Sequence, residues 1–236
     1  FALSGENFDG NRFVEDAIKK GCSYVVASDA CLAGRDNIFV VEDVLDTLQK
    51  LAKNHRREWG RKVLAITGSN GKTTTKELLY EVLSKKFKVL ATSGNLNNHI
   101  GVPLTLLRIK DEDLAIIEMG ANHKGEIAAL CNLAAPDEGI ITNIGRAHLE
   151  GLGGIDGVIQ GKGELYDYLS ENGGMLYLNK DEAYLHEMAE TRNLSYYSYG
   201  TATDCKVVGL MHNSVDRIQA SIQLGGKKYN INSGLF

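Results

Sequence analysis

Lys62-Val63-Leu64-Ala65-Ile66-Thr67-Gly68-Ser69-Asn70-Gly71-Lys72-Thr73-Thr74 decides how the rest of the chain is read. Its first six residues form an apolar run of the buried-strand kind. Gly68 and Gly71 interrupt it, and a helical pattern follows over about 73–85. A strand, a glycine turn and a helix opening on Gly-Lys-Thr are the context in which a phosphate loop works. The glycines let backbone N–H groups face phosphate oxygens, and the helix start adds positive potential. In this reading Gly68, Ser69, Asn70, Gly71, Lys72, Thr73 and Thr74 hold ATP. Lys72 reaches the β- and γ-phosphates, and the Thr73 hydroxyl ligates Mg²⁺. The longer G-x-x-x-x-G-K-[ST] form would need glycine at position 66, where the chain has Ile66, so a shorter loop is expected.

Downstream, apolar strands recur at Val89-Leu90-Ala91, Leu114-Ala115-Ile116-Ile117, Gly139-Ile140-Ile141-Thr142 and Met175-Leu176-Tyr177-Leu178. Helical patterns over 125–133 and 155–169 separate several of them, and Asp181 is placed to cap another. Alternation of this kind predicts an α/β fold with a mostly parallel sheet flanked by helices. From residue 204 the runs become shorter and more alternating, which predicts a C-terminal antiparallel meander on the sheet edge. Upstream, a helix over 11–20, strands at Tyr24-Val25-Val26 and Ile38-Phe39-Val40-Val41, and a helix capped by Asp43 make a small α/β unit. That last helix has an apolar face of Val44, Leu45, Leu48, Leu51 and Ala52, and it runs out in the polar stretch 54–58. The expected division is therefore 1–58 and 59–236.

The 26 basic and 30 acidic side chains give a net charge of −4 with no dense basic stripe, which argues against a nucleic-acid surface. No run approaches the roughly 20 apolar residues that cross a membrane. The four scattered cysteines form no C-x-x-C pair, so reduced cytoplasmic thiols are expected rather than zinc or disulfides. The chain opens on Phe1-Ala2-Leu3 without a starting Met and reads as a piece of a longer protein.

Three residues beyond the loop could carry chemistry. Glu118 ends a strand, where open α/β sheets project ligand groups, and could share the Thr73-bound Mg²⁺. His148 lies past the next strand, and its imidazole could hold a second metal. Lys162 sits within a helical pattern; from spacing alone it is a solvated helix lysine.

Together these segments resemble the Mur ligase family, over nearly the whole chain. Within it they resemble the type that joins UDP-MurNAc-tripeptide to D-Ala-D-Ala. Residues 1–10 are similar to the family's uridine-nucleotide-binding domain, and 67–75 to its short ATP loop. Gly94-Asn95-Leu96-Asn97-Asn98-His99-Ile100-Gly101-Val102-Pro103-Leu104-Thr105 resembles the segment facing the muramyl substrate, with Asn95, Asn97 and Asn98 as substrate-binding residues. Glu118-Met119-Gly120-Ala121 and His148-Leu149-Glu150-Gly151 match its metal-site segments. Lys162-Gly163-Glu164-Leu165 matches the segment whose lysine is carbamylated. The resemblance implies a monomeric cytoplasmic peptidoglycan-precursor ligase using ATP and two Mg²⁺ ions, held by Thr73, Glu118, His148 and carbamylated Lys162, with Lys72 also catalytic. It also implies that the family's C-terminal domain is absent and that this piece is inactive alone. Two alternatives stay open: a folylpolyglutamate-synthase-type ligase, and a phosphate-loop NTPase that switches a partner.

Overall fold

The computed structural model describes residues 1–145, 153–203, 205–213 and 217–232. The chain begins with an antiparallel pair, β1 (Ser4–Gly5) and β2 (Phe8–Asp9), then a 3₁₀ turn and α1 (Val14–Lys19). Strands β3 (Val25–Ala27) and β4 (Ile38–Val40) pair in parallel. Ala2, Val14, Val25, Ala27 and Ile38 form the small core of this unit.

Helix α2 (Val44–Trp59) starts where expected, with the Asp43 carboxylate accepting from Asp46 N at 2.9 Å. It does not fade in the polar stretch 54–58. Arg56 is buried there, donating to the carbonyls of Ala134 and Ala135 and pairing with Asp137 at 3.1 Å, while its guanidinium lies over the Trp59 ring. Tertiary partners hold two turns of helix that hydropathy does not support. α2 thus packs on the central unit.

The central unit carries β5 (Lys62–Thr67), α3 (Lys72–Leu83), β6 (Val89–Ala91), α4 (Gly101–Leu106), β7 (Leu114–Glu118), α5 (Glu126–Ala134), β8 (Glu138–Ile141), α6 (Ile155–Glu171), β9 (Met175–Asn179), α7 (Ala183–Thr191) and β10 (Tyr196–Gly200). β11 (Cys205–Asn213), β12 (Arg217–Leu224) and β13 (Lys227–Asn232) follow. Among the described residues they make one nine-stranded sheet in the order β13-β12-β11-β10-β9-β8-β5-β7-β6. From β6 to β11 every pairing is parallel. β12 and β13 complete an antiparallel meander, joined to the sheet by the parallel β10–β11 pair.

Alternation along β5 shows why the sheet needs two covers. Val63 and Ala65 face a core shared with α2, α4, α5, α6 and α7, whereas Leu64 and Ile66 face Leu79, Tyr80 and Leu83 of α3. Ile66, Ile116, Ile117 and Leu165 are fully buried, each worth about 1.5–3 kcal/mol of transfer free energy.

Two details depart from expectation. Asp181 does not cap α7; its carboxylate accepts from the N–H and hydroxyl of Thr201, which ties it to the end of β10. The segment 94–105 runs into α4, whose start is fixed by the Asn98 Oδ1 accepting from Gly101 N at 2.9 Å.

Candidate active site

The site forms at the carboxyl ends of β5, β7 and β8, where chain winding reverses around β5 and leaves a crevice. After β5, residues 68–71 turn into α3. Gly68 has φ +139, and a Cβ there would meet Thr142 Oγ1 at 2.0 Å, so neither the backbone nor the space admits a side chain. The loop is laced to the end of β8. Asn143 O accepts from Ser69 N at 3.1 Å, Asn143 Oδ1 accepts from Asn70 N at 3.1 Å, and Gly145 N donates to Ser69 Oγ at 2.9 Å. Lys72 bends back over the loop, its ammonium donating to Gly68 O at 2.8 Å and Ser69 O at 3.3 Å. Burial lowers its pKa below the usual lysine range, and Glu118 opposes that shift. The first turn of α3 presents the unpaired N–H groups of any helix start.

Glu118, at the end of β7, is buried rather than solvent-facing. It is 1% exposed. Its Oε1 accepts from Asn97 Nδ2 at 2.8 Å and from the Thr73 hydroxyl at 3.3 Å, while buried Oε2 has no hydrogen-bond partner among the described residues. A buried carboxylate with one oxygen unpartnered there and the other beside a threonine hydroxyl fits a cation.

Lys162 also departs from the reading by spacing. It is 2% exposed on the inner side of α6 and makes no hydrogen bond among the described residues. Burial, then the Lys72 ammonium, brings its pKa down to about 8, against the pull of Glu126 and Glu164. Lys72, Asn95, Asn97, Glu126 and Lys162 line one cleft of about 510 Å³. Asn98 lines it too, although its Oδ1 is committed to α4. His148 lies outside the described residues.

Sequence reasoning did not find the supports. Glu164 clamps the start of α5, accepting from Gly125 N at 2.5 Å and Ala128 N at 2.9 Å. Lys76 is fully buried and donates to Thr92 O at 2.6 Å. A lysine one turn after Lys72 on α3 carries no sequence mark that separates it from a solvated one; only the neighbouring β6–β7 edge does.

Fold and site together define a mostly parallel α/β protein in which a strand–glycine loop–helix unit shares a cleft with a buried lysine, next to a buried carboxylate. A family model for the Mur ligase middle domain matches residues 66–236, and the chain belongs to the Mur ligase family. A UDP-N-acetylmuramoyl-tripeptide–D-alanyl-D-alanine ligase from Bacillus subtilis (strain 168) is 41% identical over 204 residues, covering 85% of this chain and 44% of that protein. The crystal structure of MurF from Acinetobacter baumannii superposes with a TM-score of 0.88 at 32% identity, over 99% of this chain and 52% of that one. The MurF ligase from Thermotoga maritima in complex with ADP gives 0.85 at 31% identity, over 98% and 54%. The chain spans about half the length of these relatives.

Proposed function

We propose that this chain is the substrate- and ATP-binding part of a cytoplasmic, monomeric ligase that adds D-Ala-D-Ala to UDP-MurNAc-tripeptide. The observation that carries the reading is that Lys72 and Lys162 line one cleft with Asn97, whose amide holds the buried Glu118 carboxylate beside the Thr73 hydroxyl, in a chain of this family. Relatives bearing that activity's name support it. The tripeptide's terminal carboxylate attacks the γ-phosphorus of ATP, and ADP leaves. The dipeptide amine then attacks the acyl carbon of the acyl phosphate, losing a proton as phosphate departs. Two anions must approach in the first step, and the Lys72 ammonium stabilises the charge spread over the transferring group. Bound Mg²⁺ supplies further neutralisation there, and Thr73, Glu118, His148 and Lys162 are the residues to hold two ions. Oε2 of Glu118 is the local feature that fits this role.

Lys162 suits carbamylation. Its lowered pKa keeps more amine neutral near pH 7, and that amine attacks CO₂ to form an N–C bond, releasing a proton to water. The buried cation becomes an anionic oxygen ligand. Residues 1–58 serve the uridine end and 59–236 the ATP end, with Asn95, Asn97 and Asn98 toward the muramyl substrate.

The test is product formation by the full-length protein. UDP-MurNAc-tripeptide, D-Ala-D-Ala and ATP should give a UDP-linked pentapeptide. Lys72→Ala should abolish both that product and ATP turnover. ATP hydrolysis without amide formation would favour the NTPase switch, and a folate product the folylpolyglutamate-synthase-type alternative.

A further inference from the structure

We propose that Asn97 is a positioning residue for Glu118, fixing which carboxylate oxygen faces a cation; this rests on the ligase reading above. A carboxylate only accepts, so the side-chain group of Asn97 at 2.8 Å from Oε1 is its amide nitrogen. The other donor to Oε1 among the described residues is the Thr73 hydroxyl at 3.3 Å, a group assigned to the cation itself. When that hydroxyl turns to an ion, Asn97 remains as the donor that keeps Oε1 in place and leaves Oε2 to ligate.

Asn97 is itself built in. Its backbone carbonyl accepts from Gly120 N at 2.8 Å, and its N–H donates to Asn95 O at 2.8 Å. A Cβ at Gly120 would stand 2.9 Å from Asn97 Oδ1, so the absence of a side chain there admits the amide. The same stretch grips Glu118 from the other side: Thr92 Oγ1 accepts from Glu118 N at 2.9 Å. Thr92 N donates to Ile116 O at 3.0 Å, and Thr92 O accepts from the fully buried Lys76 ammonium at 2.6 Å. Residues 92–97 therefore hold Glu118 by backbone and by carboxylate. Partners behind a metal ligand set its orientation, and their loss typically weakens metal binding about 10–100-fold.

The experiment is a Mn²⁺ titration by electron paramagnetic resonance on the full-length protein with a non-hydrolysable ATP analogue, comparing wild type with Asn97→Leu. Leucine keeps the shape and removes the donor. The expected result is Mn²⁺ affinity weakened about tenfold or more, whether or not UDP-MurNAc-tripeptide affinity by calorimetry falls with it. Unchanged Mn²⁺ affinity, or a loss confined to the UDP substrate, would overturn the proposal and make Asn97 a substrate contact alone. Asn97→Ser is the second variant, and it should weaken Mn²⁺ in the same direction. Loss of the fold in both variants would also overturn it, because a role limited to Glu118 leaves the melt near wild type. Failure of the ligase reading shows separately, as wild-type protein that binds Mn²⁺ and nucleotide but forms no pentapeptide.

Discussion

Replacing Lys162 by methionine should stabilise the chain. The lysine is 2% exposed, and its ammonium has no hydrogen-bond partner among the described residues. Its pKa falls from the ordinary 10.5 to about 8, chiefly through burial. The difference, roughly 2.5 pH units, corresponds to about 3 kcal/mol against folding while the group is charged. The unfolded chain binds the proton more tightly, so stability attributable to Lys162 rises with pH. The cost is full below about pH 8 and fades as pH climbs to 10.5. Methionine keeps the length of the stem and removes the charge. Urea unfolding in CO₂-free buffer at pH 7 should place Lys162→Met about 1–3 kcal/mol above the parent. That advantage should shrink toward zero near pH 10.5. A variant less stable than the parent at pH 7, or an advantage independent of pH, would refute the reasoning.

Two other substitutions test the frame around the cleft. Gly68→Ala forces a Cβ against Thr142 at a positive φ and should cost about 2–5 kcal/mol in a denaturant melt, from overpacking plus backbone strain. Arg56→Met leaves the carbonyls of Ala134 and Ala135 without its guanidinium and Asp137 with Val63 N–H but no cation, and should cost about 2–4 kcal/mol by the same assay.

The strand–loop–helix unit and the parallel order were legible because each depends on local signals: an apolar run, two glycines and a change of period from 2 to 3.6. Three things were not. α4 spans six residues with Pro103 inside it, too short to display a period, and it is nucleated by Asn98. β10 reads Tyr196-Tyr197-Ser198-Tyr199-Gly200, a tyrosine-rich run whose pairing with β9 and β11 only the assembled sheet supplies. Burial of Lys76, Glu118 and Lys162 follows from long-range packing, so the same residue types in the same local pattern could have been solvated. Its strand-end position marked Glu118, whereas the resemblance to a known family, not spacing, marked Lys162.

The Glu164 clamp bears on how the cleft can move. Glu164 bolts α6 to the first turn of α5, and Lys124 reaches Gln160 of the same helix at 2.5 Å. Glu126 and Lys162 therefore stand on one rigid jaw whose gap is set when the core forms. A ligand that needs more room cannot gain it by parting these helices without breaking both carboxylate contacts. Accommodation falls to the opposing jaw, where Asn95, Asn98 and His99 are exposed. That jaw also carries Asn97, so a shift large enough to admit substrate is one that Glu118 would feel.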